Sequence, residues 1–338
     1  MTRHRLTLCV VLAAVFLTVV FGGAPLAAAK TDVVVARFGT STPVGDYLNR
    51  AESLFCEKVK EKTGGKLIIE YYPASQLGSD REVIEAVDLG TVQFVGTGVG
   101  RLSLYHPVGI IFNIPYLFKD RAHADAVLDG RIGDETRKII YDNTNFILFP
   151  LWHRGARCIS ANRPIRSVND LKGLKIRVPE WAAAVYVWKA LGANPVALPF
   201  SELFSALQTG VVDAQENPVT LIYSAGFHKV QKYVMLTNHQ MEDWMILTNK
   251  AWFESLPESY QEAIREAMAE AKAYAARECA RETEDAIAKL KAEGTIVIDT
   301  KDIDITGFLK RAEVAKDFPQ LKNSKVATEI YNKIVAGK

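Results

Sequence analysis

Residues 171–181 read LKGLKIRVPEW, and within them the hydrophobic period changes. Leu174, Ile176 and Val178 alternate on one side, as in a half-buried strand. Pro179 cannot continue a ladder, and from Trp181 the apolar residues Val185 and Trp188 recur at helical spacing until Gly192. A strand therefore runs directly into a helix. Arg177 falls at the corner between them, on the strand face opposite the apolar set.

The same alternation extends outward. Upstream, Val33–Phe38 reads as a strand, Gly45–Thr63 as a helix stopped by Gly64 and Gly65, Lys66–Tyr72 as a strand, Asp80–Leu89 as a helix and Val92–Val95 as a strand. A second set follows: strands Phe146–His153 and Leu174–Val178, helix Trp181–Leu191, strand Pro195–Leu198, helix Ser201–Gln208 and strand Val211–Ala214. This βαβ order predicts two α/β lobes built on mostly parallel sheets. Between Pro257 and Gly294, Tyr260, Ile264, Ala267, Ala271, Tyr274, Thr283, Ile287 and Leu290 recur at helical spacing without Pro or Gly. They predict one helix of roughly 35 residues and about 50 Å, either a strut across both lobes or a surface helix broken midway.

The N-terminus bounds the compartment. Arg3 and Arg5 precede the apolar run Leu6–Val20, and Ala27–Ala29 offers a small-residue cleavage site. This is the pattern of a secretory signal peptide, 1–29, cleaved after Ala29, with export to the periplasm. The run is too short to span a bilayer. The chain holds 41 Lys+Arg against 39 Asp+Glu; without Arg3 and Arg5 the mature balance is 39 against 39. No basic field for nucleic acid or an anionic membrane remains. Cys56, Cys158 and Cys279 lack metal-site spacing and allow one disulfide at most.

Motifs for catalysis are missing: the chain contains no GxSxG, HExxH, GxxxxGK[ST] or calcium-loop pattern, and no histidine pairs in sequence with a nucleophile. No cofactor or metal is expected. GTGVG at 96–100 follows a strand, but Arg101 stands where a dinucleotide loop needs its third glycine. It reads as a tight turn that brings backbone amides to a surface, with Thr97 as a candidate ligand contact. Three polar residues lie at strand ends: Arg157, Arg177 and Asn217. The carboxyl ends of strands in open α/β sheets face a ligand crevice, and a guanidinium fork matches a carboxylate with two parallel bonds. The competing reading pairs Arg177 with a surface acid such as Asp170 or Glu180.

GARCISANRPI, DLKGLKIRVP, WKALGANPVALPFSELFSALQTGVVDAQENP and HKVQKYVMLTNH, with GGKLIIEYYPASQLGSDREVIEAVDLGTVQF upstream, resemble the extracytoplasmic substrate-binding proteins of tripartite ATP-independent periplasmic (TRAP) transporters. The resemblance spans nearly the whole mature chain. It implies an α/β, two-lobe periplasmic-binding-protein fold (Venus-flytrap) with a long helix spanning both lobes. It also implies that Arg177 bridges the ligand carboxylate bidentately, with Arg157 and Asn217 completing the polar set. Ala214 stands where that family frequently has glycine.

The expected function is capture of a small organic acid for delivery to TRAP membrane subunits, by a protein that acts as a monomer. An exported enzyme acting on small acids is the alternative class. Trp152, Trp181, Trp244 and Tyr223 lie near the expected cleft and favour an aromatic or branched monocarboxylate or 2-oxo acid, over a C4-dicarboxylate or a sugar acid. The chain is expected to cross between lobes near Arg154 and Asp243. That places 30–154 with 244–283 in lobe I, and 155–243 with 284–338 in lobe II.

Overall fold

The computed structural model describes residues 33–337, so the predicted signal peptide and its cleavage site lie outside the described residues. Ten strands form one sheet: β1 (Val34–Thr40), β2 (Leu67–Tyr72), β3 (Phe94–Gly98), β4 (Phe146–Leu148), β5 (Trp152–Ala161), β6 (Lys175–Val178), β7 (Asn194–Ala197), β8 (Ala214–Pro218), β9 (Tyr233–Asn249) and β10 (Ile296–Ile298). Their order is β2-β1-β3-β9-β5-β8-β6-β7, with β4 and β10 added on β9. The flanks β2-β1-β3 and β8-β6-β7 are parallel, and β10 adds in parallel to one end of β9. β9 and β5 run antiparallel to each other and to β3 and β8 respectively, and they join the two halves. The expected parallel lobes are therefore present, with crossing strands between them.

The helices are α1 (Tyr47–Lys62), α2 (Asp80–Asp88), α3 (Arg121–Leu128), α4 (Arg131–Asn143), α5 (Ala182–Leu191), α6 (Leu203–Gln208), α7 (Val219–Ser224), α8 (Lys250–Ser255), α9 (Glu258–Ala292), α10 (Ile305–Ala312), α11 (Pro319–Lys322) and α12 (Lys325–Ala336). Local chemistry explains their ends. Asp46 caps α1 by accepting from Leu48 N at 2.9 Å, Ser79 and Glu82 form a capping box on α2, and Gly192 ends α5 at φ +102°. Helix α9 runs unbroken for 35 residues. Its Ile264, Ala267, Met268 and Ala271 pack in one core with Phe38, Phe55 and Phe94, while its Ala286 and Leu290 pack in another with Leu203, Leu207 and Phe227. One helix thus supplies both cores, as a strut does.

Two boundaries differ from the sequence reading. Phe146–His153 is two strands, because Pro150 falls in the middle and interrupts the ladder. The strand expected over Val211–Ala214 is instead β8, four residues of which follow the apolar run: Gln215, Glu216, Asn217 and Pro218 are buried strand residues. At the C-terminus α12 packs near α4, where Lys333 pairs with Glu135 at 2.6 Å, so this end of the chain returns to elements of the 30–154 segment. Cys56, Cys158 and Cys279 are free thiols.

GTGVG is not a tight turn. It forms the end of β3 and the turn after it, and its glycines make room for side chains. A Cβ at Gly96 would collide with the Glu52 carboxylate, one at Gly98 with Glu242, and one at Gly100 with Asn113 and Trp181. Glu52 is fully buried on α1, where it accepts from Trp244 Nε1 at 2.7 Å and from Tyr71 Oη at 2.8 Å. Burial pushes its carboxyl up to about 7 against the pull of those bonds. A folded value raised above the unfolded one stabilises the protein at low pH and costs stability as pH rises through about 7. Glu52→Gln keeps the shape without the charge. It is expected to stabilise the protein at about pH 8, by on the order of 3 kcal/mol at most, seen as a higher melting temperature, and to change little near about pH 4.5. Equal effects at both pH values in differential scanning calorimetry would contradict this.

Candidate functional site

A narrow cleft, with about 20 Å³ of free space, is bordered by Ser41 and Thr42 after β1, Asp80 and Arg101 of the first parallel half, Arg154, Arg157 and Asn217 of the crossing and polar strands, and Arg177, Trp181 and Phe200 of the second half. Glu242 and Trp244 of β9 close it. The strand-to-helix corner read first in the sequence places Arg177 at this cleft. Its side chain is 1 % exposed. Nε and Nη2 donate to the Leu198 carbonyl at 2.9 and 2.7 Å, and its guanidinium lies 6.0 Å from the Phe200 ring centroid. Asp170, named above as a surface partner, instead caps the Arg166–Ser167 turn. Among the described residues no carboxylate forms an ion pair with Arg177, and Nη1 makes no hydrogen bond. Burial and the neighbouring Arg101 push its pKa down to about 9.

Arg157 is held very differently. Its fork binds the Glu216 carboxylate through Nε and Nη2, Nη1 donates to Glu242 Oε2 at 2.6 Å, and Nη2 also reaches the Asn217 Oδ1 at 3.1 Å. Despite its burial, Glu216 is held down to about 2 by Arg157 and His239. Asn217 in turn donates to Gln215 Oε1 at 2.6 Å. Arg157, Asn217 and Glu242 thus border the cleft with their hydrogen bonds largely satisfied within this network.

The aromatic candidates separate. Trp181 and Trp244 border the cleft, but Trp181 Nε1 donates to Asn113 and Trp244 Nε1 to Glu52. Their faces carry cations: Arg101 lies 4.8 Å from the Trp181 ring centroid and Arg154 5.7 Å from that of Trp244. Trp152 is fully buried in the α1 core, outside the cleft lining. Tyr223 is also outside; it donates to Glu293 at 2.8 Å on a separate surface cavity. Thr97 is buried behind the cleft and accepts from Arg101 Nη1 at 2.8 Å.

Sequence reasoning passed over Arg101, Asp80, Ser41, Thr42, Arg154 and Glu242. Arg101 pairs with Asp80 at 2.5 Å, and the other Asp80 oxygen is buried with no donor. Arg101 was legible only as a broken glycine motif, and Ser41 and Thr42 only as polar residues closing β1.

The family model for bacterial extracellular solute-binding proteins, family 7, matches residues 38–318. The chain belongs to this family. It is 33 % identical over 305 residues to the 2,3-diketo-L-gulonate-binding periplasmic protein of Escherichia coli, covering 88 % of this chain and 93 % of that one. It is 30 % identical over 272 residues to the C4-dicarboxylate-binding periplasmic protein of Rhodobacter capsulatus, covering 79 % and 80 %. The TRAP periplasmic solute-binding protein of Xanthobacter autotrophicus, solved with bound β-D-galacturonate, superposes with a TM-score of 0.84 at 29 % identity, over 90 % of this chain and 100 % of that one. The family-7 chain is thus a TRAP solute-binding protein with the two-lobe fold, and the exported-enzyme alternative falls.

Burial and the neighbouring Arg101 both act against the Arg177 charge, and a carboxylate bound at its fork would offset both.

Proposed function

We propose that this TRAP solute-binding protein captures a hydroxylated organic acid of the sugar-acid class in the periplasm, after removal of residues 1–29, and delivers it to the membrane subunits. Among the described residues no helix is long and apolar enough to cross a membrane, which accords with delivery by an exported protein. Arg177 takes the carboxylate. The observation that carries the reading is a pair of unmet needs in one cleft: a buried cation without a counter-ion, and an Asp80 oxygen without a donor, in a residue only 6 % exposed. The first calls for an anion and the second for a hydroxyl. Ser41, Thr42, Asn217 and Glu242 add further polar lining.

This reading departs from the aromatic or 2-oxo acid favoured by the sequence, because the tryptophan faces that such a body would stack on already carry guanidinium groups. A C4-dicarboxylate finds a second cation in Arg101, but Asp80 already neutralises it. Relatives solved with galacturonate, D-glucuronate and D-erythronate lend the sugar-acid reading support, and one solved with succinate keeps the dicarboxylate as the second.

A thermal-shift panel of uronates, aldonates, C4-dicarboxylates, orotate and branched 2-oxo acids tests it. A ligand at about 100 times its Kd adds about 2.7 kcal/mol to the folded state, a shift of several degrees at this size. The account expects the largest shift from a polyhydroxy acid; a response confined to succinate or to 2-oxo acids would overturn it. Substitutions separate the two arginines. Arg177→Ala is expected to weaken binding by about 2 kcal/mol or more, roughly thirtyfold, without lowering the melting temperature of the free protein. Arg157→Ala, which leaves Glu216 and Glu242 buried without their cation, is expected to cost about 3–5 kcal/mol of stability.

A further inference from the structure

The β5 strand carries a bulge at Arg154, between the pairs His153–Asp243 and Gly155–Glu242, with Gly155 at φ +103°. The bulge lies at the crossing between the two halves. It turns the Arg154 side chain into the protein, where it is 1 % exposed. Both terminal nitrogens of Arg154 bind the Asp46 carboxylate at 3.1 Å, at the start of α1, and Nη1 also meets Thr220 Oγ1 at 3.2 Å on α7. Asp46 is tied to α7 a second time, accepting from Ser224 Oγ at 2.8 Å. The Arg154 Nε–H is buried without an acceptor, and Arg154 borders the ligand cleft.

We propose that Arg154 is a strap that positions the two lobes around the ligand, coupling occupancy of the cleft to closure. This rests on the two-lobe reading, in which Asp46 belongs to lobe I and Thr220 and Ser224 to lobe II. The hydrogen bonds from Arg154 to Thr220 and from Ser224 to Asp46 exist only while the lobes are together. The free Nε–H is the remaining donor, available to an acceptor in the cleft. A group that holds both lobes and faces the cleft makes closure and ligand retention one event. Opening then requires the strap to break, so it acts on release more than on capture.

Thr220 and Ser224 do not line the ligand cleft, so Thr220→Val with Ser224→Ala removes the strap's lobe II end without touching the cleft lining. Stopped-flow kinetics with D-galacturonate should show dissociation about tenfold faster or more in the double variant, with association unchanged within about twofold. Scattering from the ligand-free double variant should give a larger radius of gyration than the wild type. Arg154→Lys, which keeps the charge but not the fork, should also release faster. A double variant that matches the wild type in ligand-free radius of gyration overturns the strap. Failure of the wild type to bind D-galacturonate would count against the uronate reading alone, because the ligand-free scattering still decides the strap: an unchanged radius overturns it and an expanded one supports it.

Discussion

A buried guanidinium without a counter-ion is the constraint on which the site depends. Taking an ion out of water costs several kcal/mol unless it is paired, and Arg177 has only the Leu198 carbonyl and the Phe200 ring to replace its hydration. The rest of the fold keeps it in place. β6 ends at Val178, Pro179 stops the ladder, and Trp181 begins the turn into α5, so the side chain is fixed at a corner that cannot relax toward solvent. The free protein holds this cost as a readiness for anions, and a carboxylate entering the cleft relieves it.

The neighbouring charges show why the demand for an anion is specific to Arg177. Arg101, Arg154 and Arg157 also border the cleft, yet each has its own carboxylate: Asp80, Asp46, and Glu216 with Glu242. Of the four arginines only Arg177 has no carboxylate in contact, the fourth acid being the second one on Arg157. The glycines of β3 and of the turn after it are part of the same arrangement, since Gly98 and Gly100 leave space for Glu242 and for Trp181 with Asn113. Small residues in one strand let polar side chains from others reach the cleft.

Much of the fold was legible because it follows from periodicity. Helix α9 kept its 35 residues because nothing in Pro257–Gly294 breaks a helix, and α1, α2 and α5 begin and end where caps and glycines predicted. β8 was missed for an equally physical reason. Gln215, Glu216 and Asn217 carry no apolar alternation, and they are buried only because Ser160, Arg157 and one another satisfy them. Arg177 could be singled out from its corner position. Arg157 looked equivalent to it, since the acids that occupy its fork come from β8 and from β9, 59 and 85 residues away. Arg101 and Asp80 were hidden in the same manner, their pairing being a contact across the fold and not along the chain.

The most direct test compares an acid with its own carboxamide. Calorimetric titration of D-galacturonate against D-galacturonamide changes one charge and preserves the ring and its hydroxyls. If Arg177 is the unpaired cation that the carboxylate answers, the amide should bind the wild type at least about thirtyfold more weakly, and Arg177→Ala should erase most of that difference. Acid and amide binding the wild type with equal affinity would contradict the account.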